Sequence, residues 1–177
     1  MNSFKNRIIR AAMLDVNLYE EVEADKGAMG QAMGIVVLSS LAAGVGLIER
    51  GGFSGIFSGT IASLFGWYVW AYLTYFIGTK FLSEPQTSAD HGELLRTIGF
   101  SSSPGLIRAL GIVPGLGEVV FFTAAIWMLV AMVIAVRQAL DYNSTLRAVG
   151  VCVIGWITQI FILMLLFTIM GGGAKSV

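Results

Sequence analysis

Four long runs of residues without a charged side chain constrain the fold of this chain more than any other feature. They cover residues 27–48, 51–79, 119–136 and 148–174, which are 22, 29, 18 and 27 residues long. A helix needs about 20 predominantly apolar residues to cross about 30 Å of hydrocarbon. Because a backbone inside lipid must satisfy its own hydrogen bonds, each run predicts a membrane-spanning helix.

The composition agrees with a membrane protein and argues against several other classes. The chain is 56% hydrophobic and 12% charged, whereas soluble domains carry about 25% charged residues. Its formal net charge is zero, which argues against nucleic acid as a partner. The single histidine and the single cysteine, His91 and Cys152, belong to no cluster of metal ligands, and no nucleotide or hydrolase motif is present. We therefore expect no cofactor, no metal ion and no enzymatic activity.

A fifth segment, with the sequence RTIGFSSSPGLIRAL, is shorter and more polar than the four runs. Only 11 uncharged residues separate Arg96 from Arg108. Proline removes a backbone donor and kinks a helix, and the three serines before it can satisfy the freed backbone groups. We predict a short, kinked span over residues 93–111, with a re-entrant hairpin as the alternative. The predicted hinge comprises Ser101, Ser102, Ser103, Pro104 and Gly105.

The distribution of lysine and arginine orients the chain but does not decide the number of spans. With five spans and a cytoplasmic N-terminus, eight of these residues lie inside and three outside. With four spans, two basic residues move inside and two move outside, so the balance is again eight to three. Because cytoplasmic loops carry the excess of basic residues, the N-terminus is predicted to be cytoplasmic in both topologies.

Residues 1–26 precede the first span and form a predicted amphipathic arm. Phe4, Ile8, Ala11 and Ala12 would share one face of a helix in this arm. Such a helix either lies on anionic lipid headgroups or packs beneath the helix bundle. An acidic run at residues 20–25 follows, and we interpret it as a solvated face rather than as a cation site.

Small residues recur at the spacing that allows helices to approach closely. Gly30 and Gly34 form a GxxxG pair, and Gly51, Gly55 and Gly59 repeat every four residues into the second span. We predict that these glycines pack helices against one another within the chain. A contact between subunits is the alternative for the GxxxG pair.

Arg108 lies inside the predicted third span, and ionisable residues within membrane segments are functional candidates by default. Glu118 follows ten residues later, across the turn GIVPGLG. We predict that Arg108 and Glu118 form an ion pair that closes the outer end of the hairpin. Separate snorkelling of the two side chains to the interface is the alternative.

The chain carries two stretches, GELLRTIGFSSSPGLIRALGIVPGLG and AAIWMLVAMVIAVRQALDYNSTLRAV, that resemble the Yip family of five-pass membrane proteins. In bacterial members an LR-x-x-G-aromatic-x-x-x-P stretch opens the third span. A tryptophan-containing fourth span and a polar entry to the fifth, similar to S-T-x-x-[KR]-A, follow. The matching residues are Leu95, Arg96, Gly99, Phe100, Pro104, Trp127, Ser144, Thr145, Arg147 and Ala148, with one residue rather than two between Thr145 and Arg147.

This resemblance implies an all-α polytopic fold with five transmembrane helices behind the cytoplasmic amphipathic arm. The membrane domain would cover residues 27–174, with spans at about 28–48, 54–79, 93–111, 117–137 and 146–170. Eukaryotic relatives bind Rab-type GTPases and shape or traffic Golgi membranes. The chain has NLYEE where those relatives have an Asp-Leu-Tyr-Gly-Pro element, so GTPase binding is not expected here.

The expected function is therefore one of contact rather than of chemistry. We expect a non-enzymatic protein of the bacterial plasma membrane, with its C-terminus outside, that organises membrane or serves as a scaffold or accessory subunit of a larger complex. Its partners would be lipids and other integral membrane proteins or a second copy of itself. The alternative is a small transporter or lipid-handling protein that uses the kinked third span as a gate.

Overall fold

The computed structural model describes residues 3–171, apart from the side chains at positions 49–51, 163, 166, 167 and 169–171. These residues are all-α, with short 3₁₀ segments between some of the helices. The helices are α1 (Phe4–Ala12), α2 (Val16–Ala24), α3 (Met29–Gly46), α4 (Ile48–Lys80), α5 (His91–Phe100), α6 (Gly117–Ala139) and α7 (Thr145–Gly171). The 3₁₀ segments are Lys26–Ala28 and Ser103–Ile112.

Four helices of the described part of the chain are long and apolar enough to cross a membrane. They are Lys26–Gly46, Gly52–Lys80, Gly117–Ala139 and Thr145–Ile162. These helices coincide with the four uncharged runs. The predicted third span falls on α5 and the Ser103–Ile112 segment, each ten residues long and too short to cross alone. Residues 172–174 of the predicted membrane domain lie outside the described residues.

The second span begins with a sharp bend at Gly52. Its φ of 59° and ψ of −169° lie in a region of backbone conformation that is essentially restricted to glycine. The bend separates the first turn of α4 from the long straight helix that follows. Gly52 therefore sets the direction in which the second span leaves the connection after α3.

The beginning of α5 is fixed by a reciprocal pair of hydrogen bonds. Asp90 Oδ1 accepts from the backbone N–H of Glu93 at 2.8 Å, and Glu93 Oε2 accepts from the backbone N–H of Asp90 at 2.7 Å. This capping box satisfies two of the unpaired donors that every helix start exposes. α5 therefore begins at a defined position in the polar connection after α4.

The buried core consists of two clusters of apolar side chains. The first joins α4, α5, α6 and α7, and includes Trp70, Leu94 and Val136. The second joins the arm to the bundle: Tyr19 of α2 is completely buried together with Ala32 of α3 and other residues of α5 and α6. The arm is thus part of the folded core of the described residues.

Candidate functional site

The predicted hinge is a change from α-helix to 3₁₀ helix in the third segment. α5 ends at Phe100, and the Ser101 hydroxyl donates to the carbonyl of Ile98 at 2.7 Å. Pro104 follows in the first turn of the ten-residue 3₁₀ segment. A backbone N–H at this position would have no acceptor within the helix, so the proline removes no hydrogen bond. The Ser103 hydroxyl is buried and has no hydrogen-bond partner in the structure. Because 3₁₀ stretches of this length are uncommon inside a span, the segment marks a site where the backbone departs from regular helix.

Arg108 extends from this 3₁₀ segment to the neighbouring helix α3. Its Nη2 donates to the hydroxyl of Ser39 at 2.7 Å and to the Ser39 carbonyl at 3.1 Å. Its Nε donates to the Gly105 carbonyl at 3.1 Å. The predicted ion pair with Glu118 is not formed, since no ion pair among the described residues includes Arg108. The guanidinium is nearer to the hydroxyl of another helix than to a carboxylate across its own turn, and the prediction was wrong for that reason.

Gly105 allows this contact because it keeps the space beside the guanidinium free. A Cβ at this position would overlap the Ser39 hydroxyl and lie 2.8 Å from both Arg108 Nη2 and Met128 Sδ. Such distances are too short for any real side chain, so an alanine would displace the arginine or the helices. The hinge glycine therefore serves close packing around Arg108.

A cavity of about 240 Å³ lies beside Arg108, between α3, α4, α5 and α6. The indole of Trp70 lines it, and the buried Nε1–H of that indole has no acceptor in the structure. A second cavity of about 210 Å³ lies between α3 and α4 and shares Ser40, Ser63 and Arg108 with the first. The two cavities form one groove, hereafter the Arg108 groove, that is mostly apolar and has Arg108 where the two cavities meet.

Three of the predicted packing glycines, Gly30, Gly55 and Gly59, make no close contact with another helix among the described residues. A Cβ at Gly30, Gly55 or Gly59 would meet no atom within 4 Å, and one at Gly34 would only touch the Phe4 ring at 3.5 Å. Gly55 and Gly59 instead line the Arg108 groove. The surroundings of Gly51 lie outside the described residues.

Other glycines, which the spacing pattern did not indicate, make the close helix contacts. A Cβ at Gly99 would lie 2.7 Å from the Cβ of Ala32, and one at Gly78 would overlap the side chain of Leu140. Both are single glycines without a GxxxG partner, so the sequence offers no signal for them beyond a small residue in an apolar helix. Gly99 was noted only as part of the family-like motif.

The arm is held to the bundle by a buried arginine. Arg7, which is 8% exposed, donates to Glu21 at 2.8 and 3.0 Å, to Asp25 at 2.9 Å and to Gln31 at 3.0 Å. The hydrogen bond and charge of Arg7 hold the pKa of Asp25 below its usual value. Two members of the acidic run are thus internal partners of a basic residue rather than a solvated face.

The acidic cleft is a second polar feature, of about 490 Å³, lined mainly by Glu20, Glu23, Glu93, Arg137 and Asp141. Burial, with the charges of the neighbouring carboxylates, raises the pKa of Glu23 to about 7. No group of three or more His, Cys, Asp and Glu side chains among the described residues could hold a metal ion. The cleft therefore places Glu23, with its raised pKa, at the base of the arm.

His91 and Cys152 both lie among aromatic or apolar side chains. The ring of His91 contacts Tyr68 and Tyr72 edge to face at centroid distances of 5.1 and 5.7 Å. Burial lowers the pKa of His91, so the imidazole is largely neutral near pH 7. Cys152 is a buried free thiol within the first core cluster.

The comparisons with known proteins give one result. The model of a family described as "Yip1 domain" matches residues 19–167, which extend from α2 into the last helix. No curated protein matches the chain, and no solved structure matches it.

Proposed function

Because the chain belongs to the Yip1 domain family, we propose that it is a non-enzymatic membrane protein that organises the bilayer around it. In this proposal the docked arm acts as a wedge in one leaflet. No catalytic step is assigned to the chain. The observation that supports the proposal most directly is the position of the turn between α1 and α2 relative to α6.

That turn lies at the depth of the middle of a membrane-spanning helix. The Trp127 indole donates from Nε1 to the carbonyl of Ala12 at 2.8 Å. Trp127 lies ten residues after the start of α6 and twelve before its end, which is about 15 Å and about 18 Å of helix axis. Residues flanking the turn point apolar side chains outward: Ile9, Met13 and Val16 are 46%, 74% and 43% exposed. Such side chains at this depth contact acyl chains rather than water.

The proposed topology has five spans. α5 would add about 15 Å and the 3₁₀ segment about 20 Å if the two were collinear, enough together to cross about 30 Å of hydrocarbon. The N-terminus would be cytoplasmic and the C-terminus outside the plasma membrane of a bacterium, as the basic residues and the resemblance to bacterial members suggest. The wedge would then occupy the cytoplasmic leaflet only, and an asymmetric insertion of this kind favours curvature.

A scaffold or accessory-subunit role is a second candidate, supported by the outer face of α4. Aromatic and apolar side chains follow this face at intervals of three or four residues and are between 44% and 82% exposed. They are Phe53, Phe57, Ile61, Phe65, Tyr68, Tyr72 and Phe76. Rigid rings that follow one helix face provide contact area at low conformational cost. The partner would be another integral membrane protein or a second copy of this chain.

The wedge is tested by removing its apolar side chains from the full chain. The variant replaces Ile9, Met13 and Val16 with serine, and wild-type and variant are reconstituted into vesicles at equal protein-to-lipid ratio. Vesicle diameters are then measured by electron cryo-microscopy. We expect the wild-type chain to shift the vesicles to smaller diameters and the variant to leave them as in protein-free samples.

A matched control changes three exposed polar residues of the same arm, Lys5, Asn6 and Asn17, to serine. This control should retain the wild-type diameters, because the apolar volume of the wedge is unchanged. Equal diameters for wild-type, variant and protein-free vesicles would refute the membrane-organising role. Circular dichroism of each protein shows that the difference does not come from unfolding.

The scaffold candidate has a separate test on natively expressed protein. The chain is purified from its own membranes in mild detergent and its companions are identified by mass spectrometry. Replacing Phe53, Phe57 and Phe65 with leucine keeps the outer face of α4 apolar but removes its rings. Loss of a stoichiometric companion in this variant would support the scaffold role, and recovery of the chain alone from wild-type membranes would refute it.

A further inference from the structure

We propose that the Arg108 groove binds one anionic phospholipid, with its phosphate at Arg108 and an acyl chain between α3 and α4. This proposal rests on the membrane location proposed above but not on the wedge. It names a bound lipid, whereas the membrane-organising role requires no ligand. Its evidence is the charge of the groove, its unused hydrogen-bond donors and its shape.

The charge of the groove is positive and uncompensated within the described residues. Arg108 has only neutral partners, the hydroxyl and carbonyl of Ser39 and the carbonyl of Gly105. No aspartate or glutamate is among the residues that line either cavity of the groove. A charged side chain at membrane depth is costly unless an opposite charge or water accompanies it. An anionic ligand would supply that opposite charge.

Two donors in the groove remain without acceptors. Arg108 Nη1 donates to no acceptor, whereas its Nε and Nη2 do. The Nε1–H of Trp70, a residue that is 8% exposed, is buried without an acceptor. Buried donors are nearly always satisfied, so this indole N–H beside a cavity indicates a missing acceptor. Phosphate oxygens suit both donors, and guanidinium–phosphate hydrogen bonds are among the strongest in proteins.

The shape of the groove suits a hydrocarbon chain. Gly55 and Gly59 form one wall, and no atom lies within 4 Å of the position that a Cβ would occupy at either residue. Gly44 and Ile56 make the close contact that holds α3 and α4 together there, since a Cβ at Gly44 would lie 2.9 Å from Ile56 Cγ1. Because Gly55 and Gly59 carry no side chains, this part of the α4 wall leaves an open channel rather than a packed interface.

The same lining selects the lipid headgroup. A zwitterionic lipid would bring a quaternary ammonium beside its phosphate, and the groove has no carboxylate among its lining residues to receive it. Phosphatidylglycerol has the phosphate charge alone, so its charge matches the single arginine. Ser39, the partner of Arg108, lies seven residues before the end of α3, so the phosphate would be held about 10 Å inside that end of the helix.

The test is native mass spectrometry of the full chain in detergent, titrated with phosphatidylglycerol, with phosphatidylcholine and with inorganic phosphate. We expect one phosphatidylglycerol molecule to bind at least about tenfold more tightly than phosphatidylcholine. Arg108→Gln should weaken phosphatidylglycerol binding by about tenfold to a hundredfold, the usual effect of losing hydrogen bonds to a charged group. Inorganic phosphate should bind weakly because it has no acyl chain to fill the channel.

Gly59→Leu tests the acyl part of the site without touching the arginine. Its side chain would enter the channel at a position that has open space, so the fold should tolerate it, and phosphatidylglycerol binding should be lost. Gly30→Leu is the matched control, since Gly30 also has open space around its Cβ position but lies outside the groove. Equal phosphatidylglycerol affinity for wild-type, Gly59→Leu and Gly30→Leu would overturn the proposal. Equal affinity of the wild-type chain for the two lipids would overturn it as well, as would inorganic phosphate binding as tightly as phosphatidylglycerol.

Discussion

Arg96 and Val22 are joined by a hydrogen bond across 74 residues of sequence: Arg96 Nε donates to the Val22 carbonyl at 2.9 Å. Arg96 Nη2 also donates to the carbonyl of Glu23, and the side chain is only 4% exposed. Both carbonyls belong to the last turn of α2, where helix carbonyls lack partners and cations are favourable. The arginine of the family-like motif thus fastens the arm to the third segment.

We predict that Arg96→Gln releases the end of the arm. The two carbonyls would lose charge-assisted hydrogen bonds, at a cost of about 3 kcal/mol. Amide hydrogen exchange of α2, measured on the chain in nanodiscs, should accelerate by about 100-fold while exchange in α6 stays unchanged. Arg147→Gln is the control, because Arg147 is exposed and bonds to Glu84 and Ser83, away from the arm. Unchanged exchange of α2 in Arg96→Gln would contradict the assigned role.

We predict opposite effects for alanine at two glycines of the bundle. Gly99→Ala should lower the free energy of unfolding by about 2 kcal/mol, because the new Cβ would lie 2.7 Å from the Cβ of Ala32 and separate α5 from α3. Gly30→Ala should be neutral or stabilising by up to about 1 kcal/mol, since alanine is the better helix former and the site is open. Thermal denaturation in detergent measures both. A loss of stability in Gly30→Ala equal to that in Gly99→Ala would show that Gly30 is packed against a neighbouring helix, and would contradict this prediction.

We predict that docking of the arm weakens as the pH rises through 7. Burial and the charges of Asp141, Glu93 and Glu20 raise the pKa of Glu23 to about 7 from a usual value of 4.5. An acid whose pKa is raised by folding contributes its full stabilisation below its unfolded pKa and loses it as the pH passes its folded pKa. Exchange of α2 amides, corrected for the intrinsic pH dependence, should therefore show stronger protection at about pH 5.5 than at about pH 8.

Glu23→Gln is the matched variant for this pH dependence, since glutamine imitates the protonated acid. The variant should keep the strong protection of the arm at both pH values. The pH dependence that Asp25 adds is opposite to that of Glu23, because Arg7 lowers the pKa of the Asp25 carboxyl. The contribution of Asp25 to the stability of the docked arm is lost only as the pH falls below about 4. A pH dependence in Glu23→Gln as large as that of wild-type would assign the effect to another group.

We predict that Trp127→Phe loosens the turn of the wedge and leaves the bundle intact. Phenylalanine retains most of the apolar contact but cannot donate to the Ala12 carbonyl, as Trp127 does at 2.8 Å. The loss of one such hydrogen bond costs about 1 kcal/mol. Amide hydrogen exchange of residues 13–15, measured on the chain in detergent, should become faster in this variant, whereas the midpoint of thermal unfolding should shift little. An exchange rate equal to that of wild-type would show that the hydrogen bond does not hold the turn.

The spans could be read from the sequence because each is a local property. An uncharged run of about 20 residues must bury its backbone in a helix, whatever lies beside it. The break at Ser101 and Pro104 was predictable for the same reason, since proline acts on the residues next to it. The capping box of Asp90 and Glu93 also lies within four residues, but the sequence analysis did not identify it.

Contacts between helices could not be read in this way. The spacing of ten residues predicts an ion pair between Arg108 and Glu118. In the structure Arg108 instead donates a hydrogen bond to Ser39, which is 69 residues away in the sequence. Ser39 and Ser40 interrupt an apolar run, which was the one signal for such a partner. The glycine repeat of α4 predicts a packing surface, and only the positions of α3 and α4 show that Gly55 and Gly59 line a groove.

The sequence alone determined the membrane class, the four long spans, the break in the third segment and the family-like motif. All of these follow from hydrophobicity and backbone chemistry over short distances. The tertiary structure decided that the arm is part of the core, that Arg96 holds it, and that Arg108 faces a groove without a carboxylate. Those outcomes depend on which faces of distant helices pack together. The free energy of that packing comes from side chains that lie tens of residues apart in the sequence.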